Sequence, residues 1–213
     1  MNTQRKNKPE RLRKEMAKRY HHGDLRSALL KAAKDILDNQ GVEAMSLRAV
    51  ANRAGVSPSA PYHHFKDKND LLTAIAASGF DAFEKSLEER AAKGSTSQEK
   101  LKLSGIAYVE FALAHTALFQ LMFSGIRVSA SKKNEVASQN NAYKTLEKRA
   151  QAVMHGGHSG DTKAGIYALK AWASVHGLAT LLIDGAITPK TYGAKDAIEL
   201  VETVLGTAPK QSD

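Results

Sequence analysis

Apolar residues recur at helical spacing along most of this chain, and no segment alternates apolar and polar residues as a β-strand does. Three short helices are predicted near the beginning, because each pattern starts at a residue that can cap a helix and ends at a glycine or a polar break. They occupy residues 24–41, 46–54 and 57–65. The fold class predicted from this pattern is all-α.

A longer helical pattern opens at Asp67 and runs out in the polar segment Lys93-Gly94-Ser95-Thr96-Ser97. That segment is the best candidate boundary in the chain, since glycine and serine disfavour a continuing helix. Beyond it, a short apolar segment occupies residues 117–123, and further helices are predicted at residues 98–115, 133–154, 161–184 and 192–205.

Positive charge is concentrated in the first third of the chain. Residues 1–66 hold 14 Lys and Arg against 6 Asp and Glu, whereas the remainder holds 17 against 16, so +8 of the net charge of +9 lies in this third. Such a distribution is expected of a face that meets a polyanion, either nucleic acid or an anionic membrane. Residues 1–23 are strongly basic with little apolar material, and they are expected to form a flexible arm that either contacts DNA or remains in solvent.

The composition narrows the possible chemistry. The chain contains no cysteine, which excludes disulfides, thiolate metal sites and cysteine nucleophiles. The basic N-terminus has no apolar stretch behind it, and no run approaches about 18 uninterrupted apolar residues, so neither a signal peptide nor a membrane span is expected. A cytoplasmic protein without a cofactor or a membrane partner is the expectation.

Residues 47–66, LRAVANRAGVSPSAPYHHFK, have the pattern of a helix-turn-helix. Such a motif needs a small residue where its helices cross, a turn residue that tolerates positive φ, and apolar residues that pin the helices together. Ala51 is the small residue, Gly55 is the turn residue, and the pins are Val50, Ala54 and Val56. The pattern predicts a three-helix, homeodomain-like DNA-binding domain.

The run YHHFKDKNDLL, from Tyr62 to Leu72, resembles the signature of the tetracycline-repressor (TetR) family, Tyr-x-His-Phe followed by a polar x-Lys-x-x-Leu segment. The resemblance covers residues 24–72. It implies that the third helix enters the major groove while Tyr62, His64 and Lys68 donate to phosphates. A phenol, an imidazole and an ammonium are hydrogen-bond donors that carry no base code, which agrees with a positioning role.

Base recognition is expected at the exposed start of the third helix and at Arg48, whose guanidinium can bond O6 and N7 of one guanine. The alternative is that Arg48 lies along a phosphate. Pro61 lacks an N–H inside the third helix and disfavours helical geometry at Ala60, so this helix is expected to be kinked or to start late. The predicted DNA-binding set is Ser46, Arg48, Ser57, Pro58, Ser59, Ala60, Tyr62, His63, His64 and Lys68.

Residues 172–177, WASVHG, resemble the Trp-x3-His-Gly element of a C-terminal domain found in a subset of TetR-family regulators. Trp172 and His176 share a helix face, beside a stripe of small residues formed by Ala173, Gly177 and Thr180. The two aromatic side chains either line a cavity or belong to the core, and the small stripe is expected to pack against a partner helix. The residues suspected of lining a pocket for an apolar or aromatic effector are Tyr108, Phe111, His115, Phe119, Met122, Trp172 and His176.

A single helix-turn-helix reads too few base pairs, so a homodimer on double-stranded DNA is expected. The resemblance implies that residues 161–184 and 192–205 pair between copies, and that a small-molecule effector releases a repressor from a palindromic operator. The predicted organisation is a basic arm at 1–23, a DNA-binding domain at 24–72, a connecting helix at 73–93, a regulatory and dimerisation domain at 98–206 and a tail at 207–213.

Two alternatives remain open. A DNA-binding protein without sequence preference would share the basic first third, but its long, near-neutral C-terminal region would then lack a task. A metal-dependent hydrolase would need a site such as His155-x2-His158-x2-Asp161, with His21 and His22 nearby, and this spacing lies in a glycine-rich turn with no general base beside it. The expected site therefore contains no catalytic residue and no metal ligand.

Overall fold

The computed structural model describes residues 25–124, 144–154 and 162–206, and within these ranges the regular structure is helical. The chain divides into two compact units between Leu71 and Leu72. The prediction of an all-α fold is confirmed.

The first unit begins with α1, Leu25–Gln40, which ends where Gly41 adopts a φ of 77°. Its buried positions, which recur at helical spacing, are Leu29, Ala32, Ala33, Ile36 and Leu37, whereas the predicted cap Asp24 lies outside the described residues. A 3₁₀ turn, Val42–Ala44, follows.

The second helix, α2, spans Leu47–Ala54 and packs against α1. Its start is fixed by Ser46, whose Oγ accepts a 3.1 Å hydrogen bond from the backbone N–H of Ala49. Its end is fixed by Gly55, which has a φ of 69°, a conformation that favours glycine. Both ends agree with the prediction, and the small contact residue Ala51 is buried.

The third helix of the motif is shorter than predicted. A helix was expected from Ser57 to about Phe65, but the structure contains only a 3₁₀ turn, Ala60–His63. Pro61 has no N–H to donate and disfavours helical geometry at Ala60, so the α-helical ladder is interrupted there, and the turn is held by short-range bonds such as Tyr62 N–H to Ser59 O at 3.1 Å. The expected start at Ser57-Pro58 is therefore wrong, and the expectation of a late start is confirmed.

The next helix, α3, spans Lys68–Ala91. The Asp67 carboxylate accepts from the N–H of Asp70 at 2.9 Å, and the Asp70 carboxylate accepts from the N–H of Lys66 at 2.8 Å. These reciprocal bonds satisfy backbone donors at the helix start and agree with the prediction that Asp67 opens the helix.

The second unit is built around α4, Ser97–Ala114, which packs against several of its neighbours. The Lys93 to Ser97 segment ends in a capping box in which Thr96 Oγ1 accepts from the Glu99 N–H at 3.1 Å. At His115 the chain bends by 107° into the next helix. The remaining helices are α5, Thr116–Phe123, α6, residues 144–153, α7, Thr162–Ile183, and α8, Ala197–Gly206, with a 3₁₀ turn at Pro189–Tyr192.

Two glycines set the spacing between helices of the second unit. A Cβ at Gly79 on α3 would lie 2.7 Å from Sδ of Met122 on α5, and a Cβ at Gly105 on α4 would lie 2.7 Å from a methyl group of Leu205 on α8. These distances are too short for a larger residue without local movement. The close approach of α3 to α5 and of α4 to α8 therefore depends on glycine having no side chain at these two positions.

Candidate DNA-binding and effector-binding sites

The helix-turn-helix exposes most of its predicted contact residues. Ser46 and Arg48 are exposed at the start of α2, and the loop residues Ser57, Pro58 and Ser59 are exposed before the 3₁₀ turn. Within the turn, Tyr62 has 57% of its surface exposed and His63 is also exposed. Ala60, His64 and Lys68 are partly exposed.

Two buried residues hold this turn in place. Pro61 is buried, and Phe65 is 1% exposed, so the residues on either side of Tyr62 and His63 anchor the segment in the apolar interior. The Arg26 guanidinium lies 5.5 Å from the Phe65 ring centroid, within cation–π range. From the sequence, Pro61 was predicted only to disturb the third helix. Its anchoring role depends on burial, which the sequence does not show.

The two arginines of α2 have different surroundings. Arg53 forms an ion pair with Asp35 of α1, which ties the first two helices together. Arg48 has no ion-pair partner among the described residues and projects from the exposed start of α2. Its guanidinium is therefore available to an external acceptor.

A cavity of about 1030 Å³ opens in the second unit. Its walls come from α3, α4, α6, α7 and α8 together with Phe123 at the end of α5. Of the seven residues suspected of lining a pocket, Tyr108 and Trp172 lie on its wall. Four of the others are placed elsewhere, with Phe111, Phe119 and Met122 buried in the core and His115 exposed at the bend.

His176, the seventh, is not a lining residue but forms a hydrogen bond with Tyr108, which is. The Tyr108 hydroxyl is 2.8 Å from His176 Nδ1, and Trp172 Nε1–H donates to the same hydroxyl at 3.2 Å. We assign the hydroxyl hydrogen to Nδ1, because the hydroxyl then donates one bond and accepts one; in this assignment His176 is the neutral Nε2–H tautomer. Phe119 and Phe123 complete the surroundings, with ring centroids 5.6 and 4.8 Å from that of His176.

This environment favours the uncharged forms of both residues. Burial lowers the pKa of His176 from its ordinary value of 6.5. Burial raises the pKa of Tyr108 well above its ordinary value of 10.0, and the hydrogen bond from Trp172 offsets part of that rise. The bond from Tyr108 to His176 is thus stable while the imidazole is neutral.

The lowered pKa of His176 predicts a loss of stability in mild acid. The unfolded chain binds this proton near the ordinary pKa of about 6.5, whereas the folded chain binds it only at lower pH, so stability falls as pH drops from about 6.5 to the folded pKa. The unfolding free energy should therefore decrease more between about pH 7.5 and about pH 5.5 in the wild type than in His176→Asn, whose Oδ1 can replace Nδ1 as acceptor. Urea titrations at the two pH values measure the difference.

A change at the exposed ring of His115, His115→Asn, is the control and should retain the wild-type pH dependence. Equal losses in the wild type and His176→Asn would show that His176 does not carry the effect.

The cavity also contains residues that sequence reasoning did not select. These include Phe83, Phe123, Arg149, Tyr167, Val175 and Leu205. Arg149 is a cation on a helix with other cations, and no signal in the sequence separates it from Lys144 or Lys148. It is identified only because the fold brings α6 against the apolar wall.

Within residues 25–124, 144–154 and 162–206, no group of three or more histidine, aspartate and glutamate side chains is arranged to hold a metal ion. The spacing considered for a hydrolase, His155, His158 and Asp161 with His21 and His22, lies outside the described residues, as does the basic arm at 1–23.

Two family models match the chain. Residues 29–75 match the model described as bacterial regulatory proteins of the tetR family, and residues 101–207 match the model described as a tetracyclin repressor-like C-terminal domain. The exposed helix-turn-helix and this pair of matches define a DNA-binding transcriptional regulator. The chain belongs to the TetR family.

The names of individual relatives agree with this family assignment. An HTH-type transcriptional regulator of Staphylococcus aureus is 27% identical over 100 residues, which are 47% of this chain and 54% of that protein, so the match spans about half the relative's length. The class C tetracycline repressor protein of Escherichia coli is 41% identical over 51 residues, 24% of this chain and 23% of that protein. The Trp-x3-His-Gly assignment of the C-terminal domain stays a prediction.

The solved structures include a protein of unknown function from Rhodococcus sp. RHA1, with a TM-score of 0.73 and 34% identity, covering 87% of this chain and 93% of that one. A TetR/AcrR-family transcriptional regulator from Thermobifida fusca has a TM-score of 0.64 and covers 88% of this chain and 100% of that one. At 20% identity, the second likeness shows the fold alone.

Proposed function

We propose that this regulator is a cytoplasmic repressor that binds a palindromic operator as a homodimer and is released by a small effector. The observation that carries the proposal is the display of Arg48 and Tyr62 on a helix-turn-helix whose supporting residues, Pro61 and Phe65, are buried. A rigid turn with exposed donors is suited to DNA, because its contact groups are already ordered before binding.

We assign the contact residues to two roles. Arg48 reads a base, together with the exposed Pro58, Ser59 and Ala60 segment. Tyr62, His64 and Lys68 bond phosphates, and Ser46, Ser57 and His63 lie beside them on the same motif. In this assignment residues 24–72 form the DNA-binding domain, residues 73–93 the connecting helix and residues 98–206 the effector and dimerisation domain.

The dimer surface is assigned to α7 and α8. On α7, Ile166 and Leu169 are 50% and 52% exposed, and Val204 on α8 is 39% exposed. Leu169 and Val204 also lie on the cavity wall, so the assigned dimer surface adjoins the cavity. By length and composition alone, α7 is apolar enough to cross a membrane. In this proposal its exposed apolar face is covered by a second copy of the regulator and not by lipid.

The stripe of small residues on α7 supports the same surface. Ala173 and Thr180 are exposed, and a Cβ at Gly177 would meet no atom of the described chain within 4 Å. No contact within the unit therefore requires these small side chains, whereas a partner helix packed closely against them would.

Selection of bound sequences from a random duplex pool tests the function. The full chain should recover a palindrome whose half-sites are separated by one helical turn, about 34 to 36 Å, or a multiple of it. Arg48→Ala should recover a palindrome that has lost one guanine preference in each half-site, with a penalty of about 1 to 3 kcal/mol on the original site.

The control is Lys93→Ala, which removes a positive charge outside the helix-turn-helix and should recover the wild-type sequence. Unselective recovery by the wild type would favour the alternative of a sequence-independent DNA-binding protein. A uniform loss of affinity for every sequence in Arg48→Ala would assign this residue to a phosphate.

A further inference from the structure

The charged groups on the cavity wall are unevenly balanced. Lys102, Arg149 and Lys170 are basic, and Glu99 is the acidic lining residue in the part of the chain that the structure describes. Glu99 Oε2 already accepts from the backbone N–H groups of Ser95 and Thr96, at 2.7 and 3.3 Å. The wall therefore offers a bound molecule more positive charge than negative charge.

Arg149 is the one guanidinium among the basic lining residues that the structure describes, and it is half-buried on α6. Lys102 is also partly buried, whereas Lys170 is exposed. Burial lowers the pKa of the Arg149 guanidinium, and the nearby carboxylates of Glu88 and Glu84 offset part of that effect. The desolvation of this guanidinium is thus only partly compensated within the chain.

Neither carboxylate forms a direct pair with it. The ion pairs found among the described residues join other side chains, and Glu84 Oε1 is an acceptor for the Thr145 hydroxyl at 2.9 Å. A guanidinium has five N–H donors, so Arg149 retains the capacity to bind an external acceptor.

The rest of the wall is mainly apolar and aromatic. Phe83, Leu87, Leu101 and Leu205 contribute to it, and the Tyr108 hydroxyl already uses its hydrogen for His176 and one lone pair for Trp172. A volume of about 1030 Å³ is slightly above the usual range for small-molecule sites, about 300 to 1,000 Å³. The cavity therefore combines a large apolar space with one partly desolvated cationic fork.

We propose that the effector is an apolar molecule with a single carboxylate, which Arg149 binds while the apolar body lies along Phe83, Trp172 and Leu205. The inference rests on the proposed effector-controlled function and specifies its ligand class. A guanidinium can make two parallel charge-assisted bonds to one carboxylate, and such bonds are strengthened where water is excluded.

Trp172 provides the assay, because it is the single tryptophan of the chain and lies on the cavity wall. Decanoate, decan-1-ol and decylamine share an apolar chain and differ in the charge of the head group, so they serve as matched probes of the full-length protein. Decanoate should change the Trp172 fluorescence at a concentration at least about tenfold lower than either of the others, as one charge-assisted contact would produce.

Arg149→Gln should reduce the preference for decanoate over decan-1-ol to less than about twofold, whereas Lys148→Gln, an exposed change on the same helix, should leave it intact. Arg149→Lys keeps the charge without the planar fork and should give an intermediate preference, which also tests the proposal if the glutamine variant is poorly folded. A preference that survives in Arg149→Gln, equal binding of the three probes, or no binding of decanoate would overturn it.

Operator binding by the same preparations, without any probe, reports separately on the proposed function. Intact operator binding without a carboxylate preference would reject only the ligand class. Loss of specific operator binding by the wild type would reject the regulator model itself.

Discussion

If the proposed homodimer forms through α7, Ala173→Glu is expected to convert it into monomers and to weaken operator binding by roughly 30-fold or more. Ala173 is exposed in the single chain, so a glutamate there does not disturb the fold of the unit itself. In a two-fold interface the substitution places a desolvated carboxylate on each copy, at a cost of about 2 to 5 kcal/mol. Each 1.4 kcal/mol corresponds to about tenfold in affinity.

Sedimentation velocity gives the oligomeric state, and fluorescence anisotropy with the selected operator gives the affinity. Gln120→Glu introduces the same charge at an exposed position on α5 and should leave both unchanged. An Ala173→Glu variant that remains dimeric would place the interface on another surface.

Phe83→Ala is expected to lower the free energy of unfolding by about 3 to 5 kcal/mol. The Phe83 side chain is 2% exposed, and its ring packs edge-on against Tyr108 and Phe111 with centroid distances of 4.9 and 5.1 Å. Its removal loses buried apolar surface and two aromatic contacts, and it extends a cavity that α3 already borders. Domains are commonly stable by only about 5 to 15 kcal/mol, so this loss is a large fraction.

Urea unfolding followed by circular dichroism measures the loss. Lys85→Ala on the same helix is the matched control, because the Lys85 to Glu89 pair is exposed at 3.8 Å and should contribute less than about 1 kcal/mol. A loss below about 1 kcal/mol for Phe83→Ala would mean that the neighbouring helices collapse into the vacated space.

The prediction from sequence was most accurate where structure depends on neighbouring residues. The cap at Ser46 and the turn at Gly55 involve a hydrogen bond and a φ value that residues within about four positions determine. The error in the third helix also has a local cause, the single residue Pro61. Pro61 was recognised as unfavourable, but a helix was still expected from Ser57, although the missing N–H leaves only a 3₁₀ turn.

The cavity proposed as the effector site depends instead on residues that are far apart in the sequence. The sequence selected Tyr108, Trp172 and His176 by type and spacing, and the structure joins them through hydrogen bonds across 64 and 68 residues. It did not select Arg149, because a cation on a helix is ordinarily a solvated side chain. Only the packing of α6 against the cavity withdraws this guanidinium from water.

The sequence by itself determined that the fold is helical and that residues 47–55 form a helix ending in a glycine turn, because apolar periodicity, caps and turn glycines act over a few residues. It also determined the family, through the run from Tyr62 to Leu72. The tertiary structure alone decided that Pro61 is an anchor, that α7 leaves Ile166 and Leu169 exposed, and that one cavity combines an apolar wall with Arg149. Burial and desolvation depend on which distant segments meet, and a linear pattern does not contain that information.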